Sequence, residues 1–257
     1  MARGGSDYPM VKMPTDLLQE PADEATPGDE VASGEQRRLT RDSAFSYQCQ
    51  RCTRCCSEYL IPVSPFDLLV LGQTLQLSTT EVIRRHLGDG LHLRRRDDGS
   101  CEFLNEHECG IHAGRPLVCR IYPLGRNVTD GQEWFSIMKP IMNSAEESAS
   151  NLTVQDYLVQ QGAVASIAGV EFYLDLHAQL LRRVEDGAVE LLGTVDASVD
   201  ELGTAGISEL GLLDPDATIE DYCSRHEIAR PGDVMEKARC HALALQEWLD
   251  RQLGQLT

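Results

Sequence analysis

The chain is short of long apolar runs, of aromatic rings and of positive charge, and each shortage closes off a class of protein. No stretch of its 257 residues approaches the roughly 20 consecutive apolar residues that span a bilayer. No apolar run of the kind a secretory leader needs follows the initial Met. The sequence therefore predicts a soluble, cytoplasmic protein. Aromatic residues make up only 5% against a hydrophobic fraction of 42%, so any core must be mostly aliphatic. The formal net charge is −18, divided as −4 over residues 1–42, zero over 43–145 and −14 over 146–257. An acidic surface repels phosphate backbones and anionic lipid heads, so neither nucleic acid nor a membrane is expected as a partner. A Gly-rich phosphate loop, a nucleophile elbow and a zinc-binding HExxH helix are also missing.

What the chain has is cysteine, and has it in one place. Seven of nine cysteines fall between Cys49 and Cys119: Cys49, Cys52, Cys55, Cys56, Cys101, Cys109 and Cys119. The first four read C-x-x-C-x-x-C-C. A two-residue gap lets a short turn present both thiolates to one metal, as in zinc ribbons and iron–sulfur loops. A reducing compartment and an odd cysteine count both argue against a disulfide framework. The count also argues against one simple zinc site, because a tetrahedral zinc takes four ligands. Seven thiolates on one divalent ion would leave a surplus of negative charge that a partly buried site does not tolerate. Side chains of adjacent Cys55 and Cys56 are expected to diverge, which favours two metals or a bridged, polynuclear centre. Zinc and iron, including an iron–sulfur cluster, both suit thiolates. Arg51, Arg54, Arg115 and Arg120 stand in the same segments and could offset the charge, or simply be solvated. His107 and His112 flank Cys109 and could complete a coordination sphere, although a plain surface role is the simpler reading.

The organisation reads as three parts: an acidic disordered tail over 1–42, a cysteine-cluster domain over 43–145, and an acidic helical region over 146–257. The tail is rich in Pro, Gly, Asp, Glu and Ser and offers too little apolar surface to offset its ordering entropy. Ser64-Pro65-Phe66-Asp67 predicts a helix to about Leu77, with Ser64 as cap, Pro65 at the first position and Asp67 answering the cap. Ser78 and Glu81 open a second, ending at His86 or Leu87. Leu91–Arg96 and Cys101–Leu104 are expected as short strands joined by a turn at Asp97–Ser100. Arg94, Arg95 and Arg96 would guard the hairpin edge. Arg115-Pro116 starts a helical turn carrying Cys119, and Tyr122-Pro123 ends it. Trp134–Met138 is expected as a strand. Asn151 or Thr153 opens a helix to about Ala168, Gly169 separates it from a second over Val170–Asp186, and 187–213 is an irregular connection. Thr218–His226 and Asp233–Leu253 are the last helices. The apolar stripe Met235, Ala238, Ala242, Leu245, Leu249, Leu253 is read as core, with a protein-partner face as the alternative. The expected fold is mainly α with a small irregular β element, a metal-nucleated cysteine-cluster domain followed by an acidic helical region.

These residues resemble the YkgJ-type cysteine-cluster family, described as a zinc- or iron-chelating domain. The resemblance rests on Cys49–Cys56, Cys101-Glu102-Phe103-Leu104, Cys109-Gly110-Ile111-His112 and Arg115-Pro116-Leu117-Val118-Cys119-Arg120-Ile121-Tyr122-Pro123, in that order, and covers roughly residues 45–145. It implies a metal-binding protein acting in metal handling, redox chemistry or partner organisation. Two departures stand out. His112 occupies a position where such proteins often carry Tyr, and Trp134–Asn143 lacks the further Cys they often have. Either the centre has one ligand fewer, or His112, Cys223 or another group substitutes. A similar cysteine signature occurs in flagellin lysine methylases, which makes an iron–sulfur-dependent protein-modifying enzyme the alternative function. The radical spacing C-x-x-x-C-x-x-C is not present, since Tyr59 follows Cys52 and Cys56 where the third Cys belongs. Cys223 and His226, three apart, are read as an incidental pair, and Cys240 as a small core residue beside His241.

Overall fold

The computed structural model describes residues 38–47, 53–88, 91–106, 108–129, 131–138, 152–176, 178–179 and 214–254. Of the tail expected to be disordered over 1–42, residues 1–37 lie outside the described residues, as do the connection over 187–213, Cys49, Cys52, Arg51, His107 and the apolar positions beyond residue 179 of the Val170–Asp186 helix; within 38–42, Leu39 is buried in the core and exchanges backbone hydrogen bonds with Phe135 at 2.8 Å. The architecture is mainly α with one two-stranded antiparallel sheet. Among the described residues no helix is long and apolar enough to cross a membrane.

The helix α1 spans Arg54–Glu58, α2 Pro65–Leu75 and α3 Thr79–His86. The α2 start is a full capping box: Ser64 Oγ accepts from Asp67 N, and Asp67 accepts from Ser64 N at 3.0 Å. Ser78 caps α3 by accepting from Glu81 N. Beyond its cap α2 is apolar nearly all round, which places it inside the protein rather than on its surface. Leu68 and Leu71 face one cluster with Val63, Val82, Leu87, Leu93 and Ile111. Phe66 and Leu69 face another, built with Tyr173, Leu176 and the last two helices.

The short helix α4 covers Leu117–Ile121 and is followed by strands β1, Leu124–Thr129, and β2, Gln132–Ile137. They pair with Leu124 opposite Ile137 and Thr129 opposite Gln132. Helices α5, Val154–Gln160, and α6, Ala163–Glu171, cover the hairpin through Phe135, Leu124, Leu158 and Ile167. Helices α7, Pro215–Arg225, and α8, Val234–Gly254, form the remaining layer. On α8, Ala238 and Leu249 are buried, with Met235, Ala242 and Leu245 packed beside them, so the stripe is core.

Three local expectations change. The segments at 91–96 and 101–104 form isolated bridges, Leu87–Leu93, Arg95–Cys101 and Leu104–Cys109, not a strand ladder. The Asp97–Ser100 turn is present, closed by Arg96 N donating to Ser100 O at 2.8 Å. The arginines do not guard an edge. They clamp backbone carbonyls: Arg94 that of Leu87 at 3.2 Å, Arg96 that of Glu102 at 2.8 Å, and Arg95 those of Gly99 and Ser57. The break expected at Gly169 falls instead at Gly162, whose φ of 62° is a left-handed conformation that glycine adopts freely. Thr153, not Asn151, caps α5, answered by Asp156.

Gly169 sits inside α6 for a different reason. A Cβ there would lie 2.1 Å from two Phe66 ring carbons, so the missing side chain is what lets α6 close on α2. Gly169→Ala should lose stability at the upper end of about 1–3 kcal/mol in urea melts, the usual cost of overpacking a fixed core. Gly232→Ala, with nothing within 4 Å, is the control. Equal melts for the two variants would refute the packing role.

Candidate metal centre

Five of the seven clustered cysteines are described, and four separate pieces of chain deliver them. Cys55 and Cys56 ride on α1, which begins at Thr53 with φ 63°, a strained conformation for a β-branched residue. Cys56 N donates to Thr53 O at 3.0 Å, closing the turn. Cys101 follows the Asp97–Ser100 turn, and its N–H donates to Cys56 O at 2.7 Å, tying the second piece directly to the first. Cys109 is held against Leu104 by a bridge, and Gly110 N donates to Phe103 O at 2.8 Å. Cys119 lies in α4. The Leu117 N–H at the start of α4 donates to Asp67 Oδ1 at 2.9 Å, so the acid that caps α2 also anchors the helix bearing Cys119. Tyr59, which follows α1, packs on Tyr122, which follows α4, with ring centroids 5.8 Å apart.

The thiols act on one another. Cys55 and Cys56 are neighbours on α1 and act on each other. Cys56 lowers the Cys55 thiol to about 7 against its burial, with help from the Arg115 charge. Cys56 is pushed up by Cys55, and burial and the charges of Cys119 and Cys101 add to the effect. Burial raises Cys101 and Cys109. Cys119 is raised most of all by burial, and then by Cys101, Cys109, Cys55 and Asp67. Thiols this crowded and this buried ionise with difficulty on their own. A metal ion that displaces their protons relieves the conflict, and its binding is correspondingly pH-dependent. The donor set, all sulfur and electrostatically interacting, fits a thiophilic metal. Among the described residues, no three His, Cys, Asp or Glu side chains stand in an arrangement that would hold an ion by themselves.

Other candidates find ordinary partners. His112 Nε2 meets the Arg115 guanidinium. His86 pairs with Glu102 at 3.1 Å and packs on Phe103. Cys223 and His226 do not converge: the Cys223 thiol is buried 3.8 Å from Cys240 Sγ between α7 and α8, while His226 pairs with Glu247 at the surface. His241, next to Cys240, is fully buried against Tyr173. An open cleft lined by Ser57, Arg96, Asp98, Ser100, Leu104, Asn105 and Glu106 runs beside the cluster without a thiol in its lining.

The described cysteines of the cluster thus stand on four segments of a mainly helical fold. Residues 48–140 match the model of the CxxCxxCC family, described as “Putative zinc- or iron-chelating domain”, so the chain carries a CxxCxxCC domain over that stretch. The match contains all seven clustered cysteines and neither Cys223 nor Cys240. No curated protein and no solved structure matches the chain.

Proposed function

We propose that this protein holds zinc or iron in a polynuclear or two-metal thiolate centre formed by Cys49, Cys52, Cys55, Cys56, Cys101, Cys109 and Cys119, and that it works in metal handling or redox chemistry. The supporting observation is the electrostatic interaction among five thiols from four segments, while Cys223 and Cys240 are sequestered in the helical core. Zinc bound there would supply a structural or exchangeable ion, and iron a redox-active one. The chain's own contribution is to gather the thiols, bury them and fix α1 to Cys101 and α4 to α2.

The test is metal analysis of anaerobically purified, full-length protein together with its visible spectrum. Bound zinc or iron is expected, at more than one metal per chain. Colour with iron identifies a cluster, and colourless protein with zinc identifies zinc sites. Fully folded protein that contains no metal and takes none up would overturn the proposal.

A further inference from the structure

Arg115 and Arg120 flank the turn that carries Cys119, and both are tied down at their outer nitrogens. Arg115 Nη2 donates to Gln161 Oε1 at 2.8 Å, and its Nη1 meets His112 Nε2. Arg120 Nη1 donates to Gln161 O at 3.4 Å and its Nη2 to Ala113 O. The α5–α6 junction thus fixes both guanidiniums from one side. In each, the Nε–H is left over, buried and without a hydrogen-bond partner among the described residues. Buried donors are almost always paired, so two orphans of the same type, five residues apart around one cysteine, need an acceptor.

The charges need one too. The two guanidiniums act on each other, and Asp67 is the carboxylate that acts on Arg120. Arg115 acts electrostatically on Cys55 and Cys109, and Arg120 interacts with Cys119. Two cations therefore act electrostatically on thiols from three segments. Seven thiolates on two divalent ions leave a charge of −3, most of which two guanidiniums offset.

We infer that Arg115 and Arg120 are positioning residues of the metal centre: the Arg115 Nε–H donates to the metal-bound thiolate of Cys55 or Cys109, the Arg120 Nε–H donates to that of Cys119, and the two charges offset the surplus negative charge of the centre. This rests on the thiolate-centre reading above. It explains why the anchoring contacts occupy the outer nitrogens and leave the Nε–H groups. Guanidinium donors suit the role because they stay charged when buried and direct their N–H bonds rigidly.

The test uses the full-length chain with Arg115→Gln, Arg120→Gln, Arg115→Lys and Arg120→Lys. Zinc affinity is measured by competition with a chromophoric chelator, and thermal melts are recorded on the metal-stripped proteins. Each Gln variant should bind zinc on the order of 10–100-fold more weakly, the usual effect of removing an outer-shell partner. Each Lys variant should recover part of that loss, since it restores charge without the directed Nε–H. Cobalt-loaded variants should keep the same number of sites with shifted thiolate-to-metal absorption. Zinc affinities equal to wild type in the Gln variants, or melts that change while affinity does not, overturn the inference and leave the centre standing. Should a Gln variant fail to fold, a Lys variant with wild-type affinity overturns Nε–H donation by itself. Wild-type protein that takes up no zinc or iron overturns the centre and this inference together.

Discussion

Cys55→Ser should strip the protein of metal, whereas Cys240→Ser should leave the metal in place and cost stability instead. The two cysteines differ in surroundings, not in chemistry. Among the described cysteines of the cluster, Cys55 is the one whose thiol is lowered, to about 7, by its neighbour Cys56 and the Arg115 charge. Ligand loss there should weaken metal binding more than tenfold, the floor being what even outer-shell changes cost. Cys240 lies between α7 and α8, with burial raising its thiol to about 11 and Cys223 at 3.8 Å. A serine hydroxyl placed there is a buried polar group with a sulfur neighbour, and should cost about 1–3 kcal/mol in a urea melt. Metal content per chain and urea midpoints, read on both variants, separate the two roles. Equal metal loss from both would mean that the ligands have been sorted wrongly.

The second large effect is expected at Asp67. This carboxylate is almost fully buried, yet it accepts from Ser64 N at 3.0 Å, Ser64 Oγ at 2.6 Å and Leu117 N at 2.9 Å. Asp67→Ala would leave two backbone N–H groups without their acceptor, each worth about 1–3 kcal/mol when buried. Relief of the carboxylate's own desolvation offsets part of this, so a net loss of about 2–4 kcal/mol is expected. Asn should not rescue it, because its amide can replace only one acceptor oxygen and turns a donor toward Ser64 or Leu117. The pH dependence has a definite sign. Burial is the largest influence on Asp67 and raises its pKa over the opposing pull of Ser64, Leu117 and Arg120. A raised folded pKa means that the group's contribution is fully present below its unfolded pKa and is lost as pH rises through the folded value. The gap between wild type and Asp67→Ala should therefore be widest in acid and narrow toward neutrality. Urea melts of metal-stripped protein across that range would reveal it. A variant as stable as wild type throughout would refute the anchoring role.

The parts of this fold that were legible in the sequence are those decided within a few residues. Ser64 with Asp67 and Ser78 with Glu81 mark helix starts because a capping interaction spans only three positions. The cysteine spacing was legible for the same reason, and the family model matches over residues 48–140. The last helix, expected over Asp233–Leu253 from its apolar period, runs Val234–Gly254, whereas the one before it, expected from Thr218, starts earlier, at Pro215. What escaped depends on residues far apart in sequence. Arg94, Arg95 and Arg96 look like solvated edge charges until Ser57 and Leu87 are brought beneath them. Strand β1, Leu-Gly-Arg-Asn-Val-Thr, has little strand character of its own and forms against β2. Gly162 and Gly169 are indistinguishable as letters. One supplies a left-handed turn and the other room for Phe66, and only the packing says which. Thr53 gives no sequence signal of its left-handed backbone.

Helix α2 has a consequence for anyone who would transplant the cysteine segment. One side of this helix anchors α4 and its Cys119, while the other presses Phe66 and Leu69 against Tyr173, Ile219 and Leu249, all beyond the stretch the family model recognises. Residues 48–140 grafted into a foreign scaffold would arrive with an oily ridge and no lid for it. The stretch that is recognisable by descent and the stretch that can stand alone are therefore of different lengths. A borrowed site would need the helices downstream, or a redesigned α2, to remain soluble.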